Sequence, residues 1–408
     1  DSGSKIPILV GGPHITIVKE KLLKQYPQFD YLFMGEAEES LPNFLETYQK
    51  GGNLAGVPGV SFKRNGDIII GKSQSIPMKV KITGATCDTE FALDKYPFPA
   101  RHLLPMKKYR LGTADGRMHF TSIHTMRGCP WHCIFCASEA LNTTRMAMRS
   151  PRSVVDEIKA VQREFPFVTH FFFTDDVLTL WADKHILKIC DLIMEEGLKI
   201  TFESSTRANL VEDDMMARMA RAGLVRLSFG LETVNTQMRA TMKKRVKLED
   251  YSTANKLCEK YGVEAMNSVM IGLPGETAET IEELSTWLSN AREVKQANCA
   301  IAVPYPGTEF NSIAMAGTHG VTLLSEDFSE YLRYGKAVTN VGELTAEDLI
   351  KKQNMMFVRI YSKWWRWKPM YNKHGLIGFG FHLWRVFRLW RQLLFDRAVT
   401  PVMTHPKN

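Results

Sequence analysis

Three cysteines in one short stretch have the residue type and spacing for metal chemistry. Cys129, Cys133 and Cys136 form a C-x3-C-x2-C pattern just after an apolar run that is typical of a strand. An odd number of thiols leaves one unpaired in a disulfide framework, and a closed zinc site takes four protein ligands. Four irons held by three thiolates leave one iron open to a small molecule that can receive an electron. The pattern favours an iron–sulfur cluster; the alternatives are a zinc knuckle completed by His132 and a purely structural loop.

Alternating strand and helix patterns follow, and they must position these cysteines. Strands are predicted at 118–125, 168–174, 199–205, 225–231, 264–271 and 297–303, and helices at 151–165, 182–196, 212–222, 248–261 and 277–293. Six such units predict an α/β fold with a partial (β/α)6 barrel. Sites in parallel barrels lie at the carboxyl ends of the strands. Because the cysteine loop follows the first strand, we expect it at this mouth.

The cysteine stretch, with the aromatic Phe135 before its last cysteine, resembles the signature of radical S-adenosylmethionine (radical SAM) enzymes. Further motifs extend the resemblance over residues 116–315. The resemblance implies that Cys129, Cys133 and Cys136 hold a [4Fe–4S] cluster whose open iron binds SAM, with Phe135 beside the cofactor. Reduction of the cluster would then cleave SAM to methionine and a 5′-deoxyadenosyl radical. An electron donor such as flavodoxin or ferredoxin is implied as a partner.

Polar residues after the second and third strands are expected to contact SAM. By the resemblance, Thr174, Asp175 and Asp176 grip its amino group, a role that needs acceptors beside a cation. Ser204 and Arg207 would face the ribose and the carboxylate. The alternatives are a helix N-cap with a solvated partner for the first group and an internal polar network for the second.

Two later strand ends carry further candidates. Glu232 ends Ser228-Phe229-Gly230-Leu231-Glu232, which matches the family's S-x-G-x-E run, and is expected to contact SAM. The text from Gly272 to Thr277, G-L-P-G-E-T, is typical of the cobalamin-associated branch. Packing of the adenine against the strand at Gly272 is expected there, whereas a direct contact from Glu276 is not.

The first 80 residues have the pattern of half a doubly wound domain. Strands are predicted at 6–10 and 29–34, helices at 15–25 and 36–50, and a hairpin turning at Asn65-Gly66. Gly11 and Gly12 and the stretch 35–39 resemble the cobalamin-binding domain that precedes many radical SAM barrels. The resemblance implies that these glycines lie against the nucleotide tail of cobalamin; an ordinary tight turn is the alternative. The upstream D-x-H-x-x-G motif is absent from this sequence, so we expect a fragment of a longer protein; the alternative is that cobalamin binding has been lost.

Composition sets the broad class. The 408 residues, 44% hydrophobic and 24% charged, are ordinary for a soluble protein of two or three domains. We predict a partial cobalamin-binding domain at 1–80, a linker at 81–115, the barrel at 116–315 and a helical region at 316–408. The four scattered cysteines are expected to be small buried hydrophobes, and the odd total favours a reducing, cytoplasmic location. These are Cys87, Cys190, Cys258 and Cys299.

The C-terminal segment accounts for the net charge of +8. From residue 361 onward there are nine Lys/Arg and one acid, so the rest of the chain is neutral and nucleic acid is not expected as a partner. A helix is predicted at 343–361, and a basic amphipathic helix at 376–397. The second helix either lies on the inner face of a membrane, with arginines toward anionic headgroups, or caps the barrel with its arginines in water.

Together these patterns predict an enzyme. We expect SAM-dependent radical chemistry that, with cobalamin, methylates an unactivated carbon of a hydrophobic small molecule. Oxidative cyclisation or rearrangement without methyl transfer is an alternative, since the cofactors carry that chemistry. A zinc-stabilised binding module without catalysis is the alternative from another class. An RNA-modifying radical SAM enzyme is disfavoured by the neutral body of the chain.

Overall fold

Six parallel strands form the central sheet of this computed structural model, which describes residues 6–71, 91–113, 116–142 and 146–395. The sheet curls into a partial barrel, and an antiparallel strand, β5, extends it beside the first parallel strand. Its strands are, in spatial order, β5 (Arg110–Thr113), β6 (Gly116–Ile123), β9 (Val168–Phe173), β10 (Thr201–Thr206), β11 (Leu224–Glu232), β12 (Glu264–Ile271) and β13 (Gln296–Ile301). The predicted fold class is confirmed.

Helices cover the outer face of this sheet. They are α5 (Pro151–Glu164), α6 (Ile186–Glu195), α7 (Asp213–Arg221), α9 (Leu248–Lys260) and α10 (Ala278–Asn290). Helix α5 begins where Ser150 Oγ accepts a hydrogen bond from Ser153 N at 3.1 Å, with Pro151 in the first turn. Along β11, alternate side chains such as Leu227 and Phe229 are fully buried toward the helices, so Ser228 and Gly230 face the other way.

Short elements connect and flank the units of the barrel. They are the paired β7 (Met126–Arg127) and β8 (Ala147–Met148), the helices α4 (Ser138–Asn142), α8 (Thr236–Thr241) and α11 (Glu309–Ala316), and the paired β14 (Val321–Leu323) and β15 (Thr339–Val341). The predicted strands agree with those observed to within two residues. The helix expected at 182–196 is instead a 3-10 turn at Ala182–Lys184 followed by α6.

The N-terminal residues form a separate four-stranded sheet. Strands β1 (Leu9–Gly11) and β2 (Tyr31–Phe33) are parallel, and β3 (Val60–Arg64) and β4 (Asp67–Ile69) complete the predicted hairpin. Asn65 and Gly66 turn it with φ of 52° and 90°, as a two-residue hairpin turn requires. The helix expected at 15–25 is two helices, α1 (Pro13–Val18) and α2 (Lys21–Gln25), and α3 (Ala37–Gln49) follows β2.

The described part of the expected linker, residues 91–113, is attached to the barrel. Arg101 forms a buried ion pair with Glu157 of α5 at 2.6 Å, and its Nε donates to Thr121 Oγ1 at 3.0 Å. Asp94 accepts a hydrogen bond from Ser150 N at 2.9 Å. The segment ends in β5, so the barrel's sheet begins before the expected boundary at residue 116. Residues 81–90 of the linker, with Cys87, lie outside the described residues.

The C-terminal region consists of α12 (Ala346–Tyr361) and α13 (Trp367–Phe395), and α13 is broken at Gly375, where φ is 63°. The part of α13 after Gly375 corrects the expected orientation. Arg385, expected on a solvated face, packs over the Phe357 ring of α12 at 4.7 Å, and Leu389 is buried. Ile377, Phe381 and Trp384 point outward instead. None of the helices in the described ranges is long and apolar enough to cross a membrane.

Candidate active site at the mouth of the barrel

The three clustered cysteines lie on a loop at the carboxyl end of the sheet, between β7 and α4, and all are partly exposed. Neighbouring elements hold this loop through main-chain hydrogen bonds. Ile134 N donates to Met242 O at 3.4 Å, Phe310 N donates to Ile134 O at 2.9 Å, and Cys136 N donates to Cys133 O at 3.0 Å. The buried Ile134 therefore fixes the loop against α8 and α11.

The electrostatics of the thiols favour a bound cationic centre. Burial raises the pKa of Cys129 to about 11 and also raises the pKa of Cys136, and the other thiols and Asp176 act in the same direction. Without a positive group these thiols are protonated at neutral pH, whereas a metal centre binds them as thiolates. No set of three His, Cys, Asp or Glu side chains in the described residues is close enough to share one metal ion. The three partly exposed thiols on one loop match the number of thiolates that a four-iron cluster with one open iron takes.

Asp175 holds the base of the cysteine loop. Its Oδ1 accepts hydrogen bonds from Thr125 N and Met126 N, both at 2.8 Å, and its Oδ2 accepts one from Thr125 Oγ1 at 2.7 Å. The side chain is buried, and burial raises its pKa to about 6. These contacts occupy the carboxylate that was expected to grip SAM. Adjacent residues on a strand end point to opposite sides of the chain, so Asp175 turns inward between two neighbours that face the mouth.

The two flanking residues are exposed at the mouth. Asp176 accepts a hydrogen bond from Ser138 Oγ at 2.6 Å, which leaves its other oxygen toward the thiols, whose pKa values it raises. Thr174 Oγ1 lies 3.1 Å from His124 Nδ1. Thr174 and Asp176 therefore remain candidates for a SAM contact.

Substitution of Asp175 is expected to separate its hydrogen bonds from its charge. Asp175→Asn keeps an oxygen for both main-chain donors, so it should fold and bind iron like the natural chain. Asp175→Ala leaves two buried N–H groups unpaired, at about 1–3 kcal/mol each, and should lose most of the bound iron. Iron analysis of both variants after anaerobic reconstitution makes the comparison. Equal iron content in the alanine variant would contradict it.

A comparison of the natural chain with Asp175→Asn also predicts how stability changes with pH. The pKa of the Asp175 carboxyl is about 6 in the folded chain against an ordinary 3.8, so the folded state keeps a proton that the unfolded state releases. Its contribution to stability is full below pH 3.8 and is lost as the pH rises through 6, by about 3 kcal/mol. The difference in unfolding free energy between natural chain and Asp175→Asn should change by that amount between pH 4 and 7. Urea unfolding of both proteins at each pH measures this difference. Other titrating groups, such as Glu276, contribute equally to both proteins and cancel.

Ser204 and Arg207 differ in how far their hydrogen-bonding groups are occupied. Ser204 Oγ donates to Phe173 O at 2.7 Å and is buried, which agrees with the alternative of an internal network. The Arg207 guanidinium stacks on the ring of Trp131, in the cysteine loop, at 4.2 Å. Its Nε is buried without a hydrogen-bond partner among the described residues. Arg207 is therefore both attached to the loop and free to bind a carboxylate.

An ion pair closes the end of β11. Glu232 Oε1 and Lys244 Nζ are 3.1 Å apart and both side chains are buried. A Cβ atom at Gly230 would lie 2.3 Å from that oxygen and 2.7 Å from that nitrogen, so the glycine of the S-x-G-x-E run leaves room for the pair. Burial opposes the charge of Lys244, but Glu232 raises its pKa and the Cys133 thiol acts in the same direction. Lys244 was missed because three other cations surround it in the stretch 243–247.

The remaining expected contacts are packed within the protein. The N–H of Gly272 donates to Glu276 Oε2 at 3.3 Å, and a Cβ at Gly272 would meet Leu349 of α12 at 3.1 Å. Burial raises the pKa of Glu276 to about 7, and its carboxyl accepts hydrogen bonds within its own turn. Phe135 packs against the apolar group that contains Met238, Met242 and Leu273.

The N-terminal sheet sits over this mouth. Arg127, at the start of the cysteine loop, pairs with Glu36 at 2.9 Å and with Glu38 at 2.5 Å. A Cβ at Gly307 would lie 2.9 Å from both Ala140 of α4 and Ile17 of α1, so the two units are in close contact. A cavity of about 300 Å³ remains between them. It is lined by Glu36, Glu38, His124, Met126, Arg127, Gly128, Thr174 and Asp176.

The two glycines expected to meet cobalamin lie at the end of β1. Gly12 has φ of 103°, which a side chain would strain, and a Cβ there would meet no atom within 4 Å. A Cβ at Gly11 would lie 3.4 Å from Phe33 of β2. Thr16 joins the two turns, because Gly35 N donates to its Oγ1 at 2.9 Å. The open side of Gly12 fits a bound group, and the packed side of Gly11 fits a structural turn.

Comparison with known proteins agrees with this site. Residues 123–288 match the family model of the radical SAM superfamily. The chain is 29% identical over 354 residues to an uncharacterised methyltransferase of Pyrococcus horikoshii, covering 87% of this chain and 72% of that protein. It is 27% identical to the hopanoid C-3 methylase of Methylococcus capsulatus and 26% identical to the anaerobic magnesium-protoporphyrin IX monomethyl ester cyclase of Rubrivivax gelatinosus. Each of these two alignments covers 74% of this chain and about half of the relative (53% and 52%).

A solved structure shares the fold. The radical SAM methyltransferase TsrM from Kitasatospora setae, with cobalamin and a [4Fe–4S] cluster bound, superposes with a TM-score of 0.66 at 16% identity. The match covers 88% of this chain and 72% of that one. Residues 123–288 are therefore a radical SAM domain, the family whose members use a [4Fe–4S] cluster and SAM, and the resemblance in sequence is confirmed. The chain is an enzyme of this class, with methyltransferases and a cyclase among its relatives.

Proposed function

We propose that this enzyme uses SAM and cobalamin to methylate an unactivated carbon of a hydrophobic small molecule, with Cys129, Cys133 and Cys136 as the cluster ligands. The observation that carries the proposal is the cysteine loop itself, which lies at the barrel mouth directly beneath the N-terminal sheet. When bound, the cluster supplies the electron that cleaves SAM, and cobalamin supplies a transferable methyl group. The named relatives act on a hopanoid and a tetrapyrrole, which supports an apolar polycyclic substrate.

The chain's own residues orient and shield the reactants. Asp176 and Thr174 present oxygens to the SAM amino group, and Arg207 presents its unpartnered Nε to the SAM carboxylate. The Arg127 ion pairs keep the N-terminal sheet over the mouth, so that water is excluded from a radical. Gly12 opens toward the cobalamin side of the same interface. The electron comes from outside the chain, and we infer a flavodoxin or ferredoxin as its donor.

Anaerobic turnover with isotopically labelled SAM tests this function. The full chain, reconstituted with iron and sulfide, is given SAM with a deuterated methyl group, a reductant, and cobalamin or none. We expect 5′-deoxyadenosine in both cases, and transfer of the label to a pentacyclic triterpenoid or a porphyrin ester only with cobalamin. Loss of hydrogens without label would favour the oxidative cyclase. Colourless protein that contains zinc would favour the non-catalytic module.

We further propose that the outer face of α13 lies on an anionic membrane surface. Ile377 is 90% exposed, and Phe381, Trp384, Phe387 and Trp390 are exposed with it. The cation of Arg388 lies over the Trp384 ring at 5.4 Å, so apolar side chains and positive charge share one face. Apolar burial combined with attraction to anionic headgroups is how such helices bind an interface.

Flotation with liposomes checks the membrane proposal. The natural chain should float with anionic liposomes, and less so with neutral ones or at high salt. The triple variant Ile377→Ser, Phe381→Ser and Trp384→Ser should remain at the bottom of the gradient. Met355 is an exposed apolar residue of α12, outside the proposed membrane face, and serves as the control. Met355→Ser should float like the natural chain. Equal flotation of the triple variant would remove the proposal.

A further inference from the structure

A second cavity, of about 350 Å³, lies at the other end of the barrel from the cysteine loop. Met266, Ala297 and Asn298 line it from the amino-terminal halves of β12 and β13, and α12 and α13 close it from outside. Catalysis in parallel barrels occurs at the carboxyl ends of the strands, so this cavity has no place in the reaction proposed above. Its size is at the lower end of the range for small-molecule sites.

Two polar side chains that line this cavity have their hydrogen bonds satisfied within the protein. Tyr361 OH donates to Ala297 O at 2.6 Å. Gln353 Nε2 donates to Cys299 O at 2.8 Å and to Arg333 O at 3.0 Å, while its Oε1 accepts from Gly335 N at 2.9 Å. These groups close the end of the barrel and have no need of a ligand.

Two donors in the same lining have no partner. Asn354 is only 6% exposed, and its Nδ2 finds no hydrogen-bond acceptor among the described residues. Arg385 lies over the Phe357 ring, and its Nε is likewise buried without an acceptor in the described part of the chain. A buried donor that lacks an acceptor destabilises the folded chain, and it does so more when the donor is charged. Both effects are removed by one anion placed between the two donors.

The other lining groups define what the anion is attached to. Among the described residues, the lining contains no Asp or Glu that would repel a negative charge. Met266, Phe357 and Leu389 supply an apolar surface around the two donors. Arg385 is half-buried, and burial lowers the pKa of its guanidinium. An ion without an apolar part would leave most of this surface unfilled.

We propose that this cavity binds an apolar molecule that carries one carboxylate, such as a medium-chain fatty acid. The carboxylate accepts hydrogen bonds from Arg385 and Asn354, and the hydrocarbon chain packs against Phe357. The site is independent of the reaction at the mouth, and it occupies the side of α13 opposite to the face proposed for the membrane.

Calorimetric titration of the full chain with decanoate, below its micelle concentration, tests the site. Decanoate should bind, decanol should bind at least tenfold more weakly because it lacks the charge, and acetate should not bind. Shortening the chain from decanoate to octanoate should weaken binding about fourfold per methylene group removed from the cavity. No binding of decanoate, or equal binding of decanol, would overturn the proposal.

Two substitutions locate the carboxylate. Arg385→Met keeps the apolar stem and should weaken decanoate binding at least tenfold, while Asn354→Leu should weaken it severalfold. Arg391→Met, at another exposed position of the same helix, should bind within twofold of the natural chain. Unchanged binding in both Arg385→Met and Asn354→Leu would overturn the site.

Thermal unfolding distinguishes a ligand site from a structural role of the arginine. Without decanoate, Arg385→Met should unfold at the same temperature as the natural chain or higher, since it removes a half-buried cation whose Nε has no acceptor among the described residues. With decanoate, only the natural chain should gain stability. A variant that is less stable without ligand, and that gains as much from decanoate as the natural chain, would show that the arginine is structural.

Discussion

Replacement of any one of Cys129, Cys133 and Cys136 by alanine is expected to abolish SAM cleavage. A reconstituted natural chain should carry about four irons and be brown, whereas a chain with two of the three thiolates should hold a labile cluster or none. Electron transfer to SAM requires the cluster. Formation of 5′-deoxyadenosine should therefore fall below detection, and not merely by the one third of the thiolates that is removed. Iron and sulfide analysis, the visible spectrum and 5′-deoxyadenosine formation measure the three effects together.

The matched control for these variants is Cys258→Ala. Cys258 is buried on α9, away from the loop, and alanine suits a helix interior. This variant should keep its iron and its SAM cleavage. A Cys133→Ala protein that retained four irons and full cleavage would contradict the assignment of the ligands. If the natural chain and Cys258→Ala contained zinc and no iron, the cysteine loop would be a zinc site instead.

The barrel could be predicted from sequence because its signal is local. Strands of a parallel sheet are buried on both faces and read as short apolar runs, and each helix between them shows its own periodicity. The strand at 264–271 was predicted to the residue. The edge strand Arg110–Thr113 was not, because its pairing with β6 is tertiary and its own sequence, rich in polar residues and glycine, gives no strand pattern.

The site was only partly predictable for the same reason. Spacing along the chain identified the cysteine loop, but it could not show which of two adjacent carboxylates turns inward. Asp175 turns to the main chain of Thr125, while Asp176 faces the thiols. The orientation of the last helix was also beyond the sequence. The arginines of this helix were expected to face water or lipid headgroups. Arg385 instead turns inward and stacks on Phe357, while Arg388 is exposed.

The ion pair between Glu232 and Lys244 gives the second large effect. Lys244→Met leaves a buried carboxylate unpaired and should lower the free energy of unfolding by about 3–5 kcal/mol. Glu232→Met leaves the ammonium unpaired and should cost a similar amount. The double variant replaces a buried ion pair by two apolar side chains of similar size, which is often neutral, so its stability should return close to that of the natural chain. Urea unfolding of the four proteins measures this cycle.

Stability and function should separate in that double variant. Glu232 is at the end of β11. Burial raises the pKa of the Cys136 thiol and Lys244 acts against that rise, so the pair contributes to the charge beside the cluster. The refolded double variant should therefore bind iron but bind SAM at least tenfold more weakly, and its cluster should have a shifted reduction potential. Equilibrium dialysis with SAM and a redox titration measure these effects without relying on turnover. If the double variant bound and cleaved SAM like the natural chain, the pair would be a structural element of the barrel, and the S-x-G-x-E run would owe its glycine to packing alone.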